Sequence, residues 1–524
     1  MISRFLTLAA VLVGLTTSLS AQRPTAPTLP RDFDAYVARV MSTFEVPGIA
    51  IAIVKDGRVL LAKGYGVRKL GDPTPVDDRT LFGIASNTKA FTATAIGILV
   101  EEGKLQWDAP VINYLPWFQM YDPFVTRELT IRDLLVHRSG LGLGAGDLLW
   151  WPTSTYDRKE IARRLRYIKP ETSFRSAYAY DNVLYSVAGE VIEAVSGQTW
   201  EDFVSSRILA RVGMAGSSVR HSAASGGGNV ATPHAEIDGH VRPISPFGSD
   251  NVNPAGGINA SATDIAKWLM VQLDSGRLAD GSRLFKPQTT FELWSLVTPY
   301  RVGRVPPDLA PQQANVAGYA LGFEVRDLRG RKVVTHTGGL PGFVSRITLV
   351  PDERLGIAVF TNQEIGQAFQ AITWRLLDHF TGAAATDWVA VYRARKVRQD
   401  SIIGAQEHTA AAKRDTASRP SLPLAKYAGA YRDAWYGDIS IALENGKLVM
   451  RFSHSPSLTG DLEHFQYNTF IARWRDRELR ADAYVTFTLN PDGSIEHAKM
   501  AAVSPATDFS FDFQDLLLIP TPAP

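Results

Sequence analysis

Ser86 and Lys89 are the two residues whose types and spacing most directly suggest catalysis in this chain. They stand three positions apart, where apolar residues begin to recur at the spacing of an amphipathic helix. Residues at i and i+3 share one helix face, so the lysine amine is expected beside the serine hydroxyl. A serine needs a neighbouring base to attack a carbonyl group, and a lysine whose pKa is lowered by burial can be that base. The pair therefore predicts a nucleophilic serine.

The same pair also has a purely structural interpretation. Ser86 is a good N-cap residue for the helix, and Lys89 would then be an ordinary solvated side chain. However, the backbone N–H groups at a helix N-terminus favour the negative charge that develops when a serine attacks a carbonyl. Residues elsewhere in the chain must decide between the two interpretations.

Two other segments supply suitable partners. Tyr180 and Asn182 precede a helical pattern that begins at Val183, so a loop is expected to direct a phenol and an amide the same way. A phenol beside a lysine ammonium can be held as phenolate, or can pass protons between nucleophile and leaving group. Farther along, an apolar strand is followed by His336, Thr337, Gly338 and Gly339. Glycines there let a substrate backbone approach closely and leave an N–H free as an oxyanion donor.

In their order along the chain, these motifs resemble those of the serine β-lactamase and penicillin-binding-protein superfamily. The similarity is greatest to its class C-like branch of D-aminopeptidases, DD-carboxypeptidases and family VIII esterases, and covers about residues 30–382. It rests on Ser86-x-x-Lys89, Tyr180-x-Asn182 and His336-Thr337-Gly338, with weaker similarities at residues 134–141 and 254–258. Three ordered motifs make the match specific and favour the catalytic interpretation of Ser86.

The resemblance implies a role for each matching residue. Ser86 is the implied acyl-forming nucleophile, and Lys89 and Tyr180 share the general-base and general-acid steps. Which of the two takes the first proton stays open at the level of sequence. Asn182 is implied to orient Lys89 and the substrate amide, and the N–H groups of Ser86 and Gly339 to form the oxyanion hole. The chemistry needs no cofactor and no metal, since every group comes from a side chain or the backbone.

His336 is the main departure from the family pattern. Class C β-lactamases carry a lysine at this position, which stays charged and helps to hold the carboxylate of the substrate. A histidine is largely neutral near pH 7, so an anionic β-lactam should be held less well. This favours a peptidase or esterase over a dedicated β-lactamase. The alternative is that His336 is only a strand-end histidine whose ring is satisfied by a neighbour.

The composition excludes several other classes of function. The chain has 524 residues, and its formal net charge of +2 gives no electrostatic support to nucleic-acid binding. It contains no cysteine, which excludes disulfides, thiolate metal sites and cysteine catalysis. The three histidines of residues 221–240 are too irregularly spaced to predict a zinc site. The expected partner is a small-molecule or peptide substrate, and an oligomer is left open.

The N-terminus has the pattern of an export signal. Residues 1–21 combine Arg4, an apolar stretch of signal-peptide length and small residues that end at Ala21. The stretch is short for a membrane span, and no later one is long and apolar enough to cross a bilayer after signal removal. The mature protein is therefore expected to be periplasmic or secreted. Residues 22–30 are rich in proline and threonine and predict a disordered lead.

The remaining chain divides into three parts. Residues 31–382 carry the motifs and predict an α/β (α+β) catalytic domain: an antiparallel sheet flanked by helices, with a helical lobe and the active site between them. Residues 383–422 predict a helical connector and linker. Residues 423–524 show short alternating strands with turn signals, which predict an all-β unit, either a small barrel or a sandwich. This unit resembles the lipocalin-like domains appended to some family members, which implies a barrel. Such a domain is implied to limit access to the active site or to mediate assembly.

These observations predict an exported serine hydrolase that forms an acyl-enzyme on Ser86. The expected substrates are small amides or esters, including peptides with D-residues. A β-lactamase with a class C-like mechanism is the alternative within the same family. A binding protein that kept the fold without turnover, and a transferase that passes the acyl group to an alcohol or amine, are the alternatives outside hydrolysis.

Overall fold

A computed structural model describes residues 28–225 and 227–521 of the chain. The predicted signal peptide, residues 1–21, lies outside the described residues, as does most of the predicted lead. Where the lead is described, the Thr28 carbonyl accepts a hydrogen bond from His379 Nε2 at 2.8 Å. In the part of the chain described here, no helix has the length and apolar character that a membrane crossing requires.

The chain alternates between strands and helices up to residue 412 and is almost entirely strand after it. Its α-helices are α1 Phe33–Phe44, α2 Lys89–Glu101, α3 Pro123–Glu128, α4 Arg158–Arg164, α5 Val183–Ser196, α6 Trp200–Val204, α7 Ala210–Val212, α8 Asn253–Gly256, α9 Ala262–Leu273, α10 Pro287–Leu293, α11 Gly366–Phe380 and α12 Trp388–Ala412. The strands before the linker are β1 Gly48–Lys55, β2 Arg58–Lys69, β3 Asp72–Pro75, β4 Phe82–Gly83, β5 His234–Ile237, β6 His240–Pro243, β7 Asn259–Ala260, β8 Thr298–Pro299, β9 Ala317–Tyr319, β10 Glu324–Leu328, β11 Arg331–Leu340, β12 Phe343–Val350 and β13 Leu355–Thr361. The strands after it are β14 Gly429–Asp433, β15 Gly437–Glu444, β16 Lys447–Phe452, β17 Thr459–Gln466, β18 Thr469–Trp474, β19 Ala483–Leu489, β20 Ile495–Ala502 and β21 Leu517–Thr521.

Nine strands form one sheet in the order β3-β2-β1-β13-β12-β11-β10-β9-β8. Strand β1 is apolar and buried from Gly48 to Val54 because both faces of the sheet are covered there. Ile49, Ile51 and Ile53 belong to the same core cluster as residues of α1 and α11, whereas Ala50 and Ala52 pack into the cluster that contains α9. The predicted antiparallel sheet flanked by helices is confirmed.

Strand β11 is the element that brings the sheet to the active site. The sequence predicts that the strand ends at Thr335, but the structure continues it through the motif to Leu340. Strand β10 pairs only with residues 331–335 of β11, so residues 336–340 form a free edge on that side. One face of this stretch packs closely on the segment that carries Ser86, since an added Cβ at Gly338 would lie 2.3 Å from the Ile84 carbonyl oxygen.

Helix α2 is the centre of the helical lobe. The sequence predicts an amphipathic helix, but every residue from Lys89 to Leu99 is buried. Such a helix needs cover on all sides, and α5, α6, α8 and α10 provide it. The Phe91 ring stacks on Trp268 with centroids 3.9 Å apart. A lysine at the first position of this helix is therefore forced into a buried environment.

Residues 429–521 form a closed barrel of eight antiparallel strands, β14 to β21 in order. Inward and outward residues alternate along β15 and β19, as a closed barrel requires. The hairpin turn at Asn445-Gly446 has φ values of 49° and 80°, which suit a tight turn between twisted strands. The barrel prediction is confirmed. Its aromatic residues Tyr431, Trp435 and Tyr436 are buried.

Candidate active site

The segment that carries Ser86 is a tight turn pressed against strand β11. Residues Ala85–Thr88 form a 3₁₀ turn that leads into α2, and Ala85 has a φ of 49°. A non-glycine residue in this left-handed region carries backbone strain of the kind that clusters at functional sites. Ser345 Oγ on β12 donates to the Ile84 carbonyl at 2.7 Å and helps to hold the turn.

This geometry corrects the expectation that Ser86 caps the helix. Ser86 lies inside the 3₁₀ turn, and its side chain makes no capping hydrogen bond there. Thr88 holds the N-cap position of α2, also without a side-chain cap. The 3₁₀ turn begins at Ala85, one residue before Ser86, so Ser86 lies within the turn and not at the start of α2. The Ser86 side chain is consequently free to face the cavity that it lines.

Lys89 is fully buried and its amine has three close neighbours. Its Nζ lies 3.1 Å from Ser86 Oγ, and it donates to Asn182 Oδ1 at 2.8 Å and to the Ala255 carbonyl at 3.1 Å. A neutral amine has two N–H groups and one lone pair. Asn182 and Ala255 accept the two N–H groups, so the lone pair is left for the Ser86 hydroxyl proton.

Burial sets the protonation state of Lys89. Desolvation lowers the pKa of Lys89 to about 7, although the nearby carboxyl groups of Asp147 and Asp181 raise it in part. The Nζ also lies 4.8 Å from the ring centroid of Tyr180 and 5.2 Å from that of Tyr185. A large neutral fraction is therefore present near pH 7, which a general base requires.

Tyr180 faces the same serine in the opposite protonation state. Burial raises the pKa of Tyr180 well above its usual value of 10, and the nearby Ser86 hydroxyl lowers it only in part. The phenol therefore keeps its proton near neutral pH. The two groups beside Ser86 thus divide into a lysine that can accept a proton and a tyrosine that can donate one.

Asn182 links Lys89 to a buried carboxyl group that the sequence analysis did not select. Its Oδ1 accepts from Lys89, and its Nδ2 donates to Asp147 Oδ2 at 2.8 Å. Asp147 also accepts from Trp150 Nε1 at 2.9 Å and from Ser510 Oγ at 2.8 Å. Burial raises the pKa of Asp147 to about 7. The amide of Asn182 is oriented by this carboxyl group, since an amide offers its oxygen and its nitrogen on opposite sides.

His336 lines the cavity, but both ring nitrogens already have partners. Its Nδ1 is paired with the Thr337 carbonyl, which can only accept, so Nδ1 carries the hydrogen. Its Nε2 lies 2.7 Å from Tyr319 Oη and therefore accepts from the phenol. Burial, with a smaller contribution from Lys89, lowers the pKa of His336 to about 3, so the ring is neutral. A catalytic part for His336 stays a prediction.

The remaining motif residues separate into two groups. Thr337 and Gly339 line the cavity next to Ser86. Gly339 has open space where a Cβ would stand, whereas Gly338 is packed against Ile84 and Ser345. Gly339 is thus placed to meet a substrate, and Gly338 permits the close approach of β11 to the nucleophile segment.

The cavity in front of Ser86 has a volume of about 260 Å³. Its walls come from the helical lobe, the sheet and the barrel, and include the aromatic residues Trp150, Trp151 and Phe509. Two carboxyl groups, Glu324 and Asp508, line it as well. Among the described residues that line this cavity there is no arginine and no lysine, because Lys89 lies behind Ser86.

Two further residues of the site, His137 and Ser510, were not among the residues predicted from the sequence. His137 stands in the segment that shows a weaker family similarity, and its ring packs on Tyr180 with centroids 4.3 Å apart. That segment was a usable signal for His137. For Ser510 no signal existed, because it lies 363 residues from the carboxyl group of Asp147 that it contacts.

Comparison with known proteins adds independent information. A family model described as "Beta-lactamase" matches residues 33–380, and one described as "Domain of unknown function (DUF3471)" matches residues 413–519. An unguisins hydrolase of Aspergillus violaceofuscus is 28% identical over 495 residues, covering 89% of this chain and 86% of that protein.

Solved structures with the same fold include two of note. The octameric penicillin-binding protein homologue from Pyrococcus abyssi superposes with a TM-score of 0.58 at 22% identity, covering 93% of this chain and 99% of that one. A D-stereospecific amidohydrolase from Streptomyces gives a TM-score of 0.52 at 22% identity over 67% of this chain and 100% of its own. At these identities the likeness concerns the fold.

Proposed function

The chain belongs to the beta-lactamase family and is a serine hydrolase, and from this premise we propose that Ser86 forms an acyl-enzyme with amide or ester substrates. The observation that carries the proposal is the distance of 3.1 Å between Ser86 Oγ and Nζ of the buried Lys89. Such a contact between a nucleophile and a base of lowered pKa is the arrangement that nucleophilic catalysis requires.

In the proposed acylation step, neutral Lys89 takes the hydroxyl proton as Ser86 Oγ attacks the substrate carbonyl. The oxyanion that forms is held by backbone N–H groups of Ser86 and Gly339, both of which line the cavity. Tyr180, which keeps its proton, donates to the leaving amine or alkoxide as the carbon–heteroatom bond breaks. Water then attacks the ester carbonyl on Ser86. The Tyr180 phenolate takes the proton of the water, and Lys89 returns its extra proton to Ser86 Oγ as the carboxylic acid leaves.

The charge of the cavity bears on the class of substrate. Glu324 and Asp508 line it, His336 is neutral, and no fixed cation faces it among the described residues. Burial raises the pKa of both carboxyl groups above its usual value. An anionic β-lactam would meet no cation among the described lining residues that could bind its carboxylate, so its binding is disfavoured. Neutral or amine-bearing substrates are favoured. We therefore place small peptides, including those with D-residues, and carboxylic esters ahead of β-lactams.

A second cavity supports substrates longer than a simple ester. It has a volume of about 430 Å³ and shares Trp151, Gly339, Leu340 and Asp508 with the first. Its far side is formed by barrel residues that include Arg480 and Phe511. A peptide bound at Ser86 could extend into it. Among the similar proteins, the name of the unguisins hydrolase agrees with hydrolysis and that of the D-stereospecific amidohydrolase with amide substrates.

Two assays test this proposal. After a quench in acid during turnover of p-nitrophenyl acetate, peptide mass spectrometry should find the acetyl group on the peptide that contains Ser86. An unmodified peptide throughout turnover would contradict the acyl-enzyme. The β-lactamase alternative predicts faster hydrolysis of cephalosporins than of aryl esters, and equal or slower rates would exclude it.

We also propose that the protein is exported and then periplasmic or secreted, because residues 1–21 carry the pattern of a cleavable signal. N-terminal sequencing of the protein made in its host should begin at Gln22. A protein that retains residue 1 would contradict this proposal.

A further inference from the structure

A segment of the barrel reaches back into the catalytic domain. Residues 503–516 connect β20 to β21, and within them Ser510 and Asp512 are buried, with 3% and 0% of their surface exposed. Asp512 accepts hydrogen bonds from the backbone N–H groups of Gly146 at 2.7 Å and Leu148 at 3.1 Å. These two bonds fix the loop on both sides of Asp147.

Ser510 contacts Asp147 itself. Its Oγ donates to Asp147 Oδ2 at 2.8 Å, and the same oxygen accepts from Asn182 Nδ2 at 2.8 Å. Asn182 Oδ1 in turn accepts from Lys89 Nζ at 2.8 Å. An unbroken chain of buried hydrogen bonds therefore runs from the barrel through Asp147 and Asn182 to the proposed base.

Resting on the proposed function, we propose that Ser510 is a positioning residue for Lys89, acting through Asp147 and Asn182. Without the hydroxyl of Ser510, one oxygen of a fully buried carboxyl group loses a donor and nothing else in the described structure replaces it. A buried carboxylate that loses a donor is destabilised in its charged form. The Asn182 amide, which Asp147 holds, then loses its fixed orientation, and the Lys89 amine that Asn182 holds loses its own.

The direction in which Ser510→Ala should shift the pKa of Lys89 follows from the charge of Asp147. The Ser510 hydroxyl favours the ionised form of Asp147 and so lowers its pKa. Ionised Asp147 in turn raises the pKa of Lys89. Removing the hydroxyl makes Asp147 less charged near pH 7, so Lys89 should lose its proton at lower pH. The other titratable groups that face Lys89 and Asp147 are Asp181, Tyr180, Tyr185, His137, His336 and Asp512.

The test compares pH profiles of kcat/KM for p-nitrophenyl acetate hydrolysis. In the wild type we expect activity to fall as pH drops through about 7, because Lys89 becomes protonated. In Ser510→Ala we expect the plateau to fall about tenfold and the acidic limb to move to lower pH. Asp147→Asn removes the carboxylate charge completely, so the acidic limb of its pH profile should move to still lower pH.

Ser504→Ala is the matched control. It removes the same hydroxyl from the same barrel segment, but Ser504 bonds to Glu407 of α12 instead of the catalytic domain. Its profile should superpose on the wild type. A Ser510→Ala profile that also superposes, or one that keeps its limb while only thermal stability falls, would overturn the inference.

The outcomes separate this inference from the proposed function. A wild type that forms no acyl-enzyme overturns both. If the wild type forms the acyl-enzyme but the pH profile of Ser510→Ala equals that of the wild type, only the positioning role of Ser510 is overturned. Should Ser510→Ala not fold, Asp147→Asn decides, and an unmoved acidic limb in that variant contradicts the network.

Discussion

The inner and outer walls of the cavity are built in different ways. At the inner wall, Lys89, Asn182 and Asp147 are buried, and each is held by hydrogen bonds to the next. At the outer wall, Phe509 is 41% exposed and meets Tyr180 edge-on with ring centroids 6.2 Å apart. The inner groups are positioned by polar contacts with defined geometry, whereas the outer side chain contributes shape and apolar surface.

This contrast separates chemistry from selection. Groups with fixed protonation states and fixed distances lower the barrier of the reaction, and their loss should reduce kcat by orders of magnitude. A half-exposed aromatic residue at the rim contributes binding area, and its loss should alter KM by a small factor. The predictions below test that division.

Apart from Ser86 itself, the largest loss of activity is expected from Lys89→Arg. An arginine cannot give up its proton in a protein, so it cannot act as the base. The variant should fold but lose acylation, with kcat/KM lower by roughly 10³-fold. Stopped-flow release of p-nitrophenol measures the acylation rate, and circular dichroism checks the fold. Near-normal acylation would show that Lys89 is not the base.

Tyr180→Phe should distinguish leaving groups. The phenol donates a proton that an amine leaving group needs and a p-nitrophenolate does not. We expect kcat to fall by roughly 10²-fold on a p-nitroanilide and much less on the matching p-nitrophenyl ester. Comparing the two substrates within one variant removes any effect of enzyme concentration. Equal losses on both would argue that Tyr180 acts in the first proton transfer instead.

The smallest effect is expected at the outer wall. Phe509→Ala removes one aromatic contact from the rim, so KM for an ester with a bulky acyl group should rise about fivefold while kcat changes little. Phe291→Ala is the control, because Phe291 is 66% exposed on α10 and does not line the cavity. A loss of kcat in Phe509→Ala comparable to that of Lys89→Arg would break the division between the walls.

Features that depend on nearby residues could be predicted from the sequence. The hairpin at Asp56-Gly57 was predictable because an Asp-Gly pair between two strands favours a tight turn. In the structure β1 and β2 pair around these two residues, whose φ values are 53° and 74°. The helix after Asn182 was equally clear, since α5 begins at Val183 and ends before Gly197. Both depend on patterns within about a dozen residues.

Features that depend on contacts between residues far apart in the sequence could not be predicted. Residues 131–136 show a helical pattern, yet only Asp133–Leu135 form a 3₁₀ turn. The buried Asp133 carboxylate pairs there with Arg175, which lies 42 residues farther along the chain. The same holds for Ser510, whose partner Asp147 lies in another domain. No local pattern records either contact.

The most direct test of the account is a pre-steady-state burst with p-nitrophenyl acetate, with wild type beside Ser86→Ala. We predict a burst near one equivalent per chain followed by slower turnover in the wild type, and no burst with at least roughly 10⁴-fold slower turnover in the variant. Identical traces from the two proteins would contradict the assignment of Ser86 as the nucleophile, and the binding-protein interpretation would then replace it.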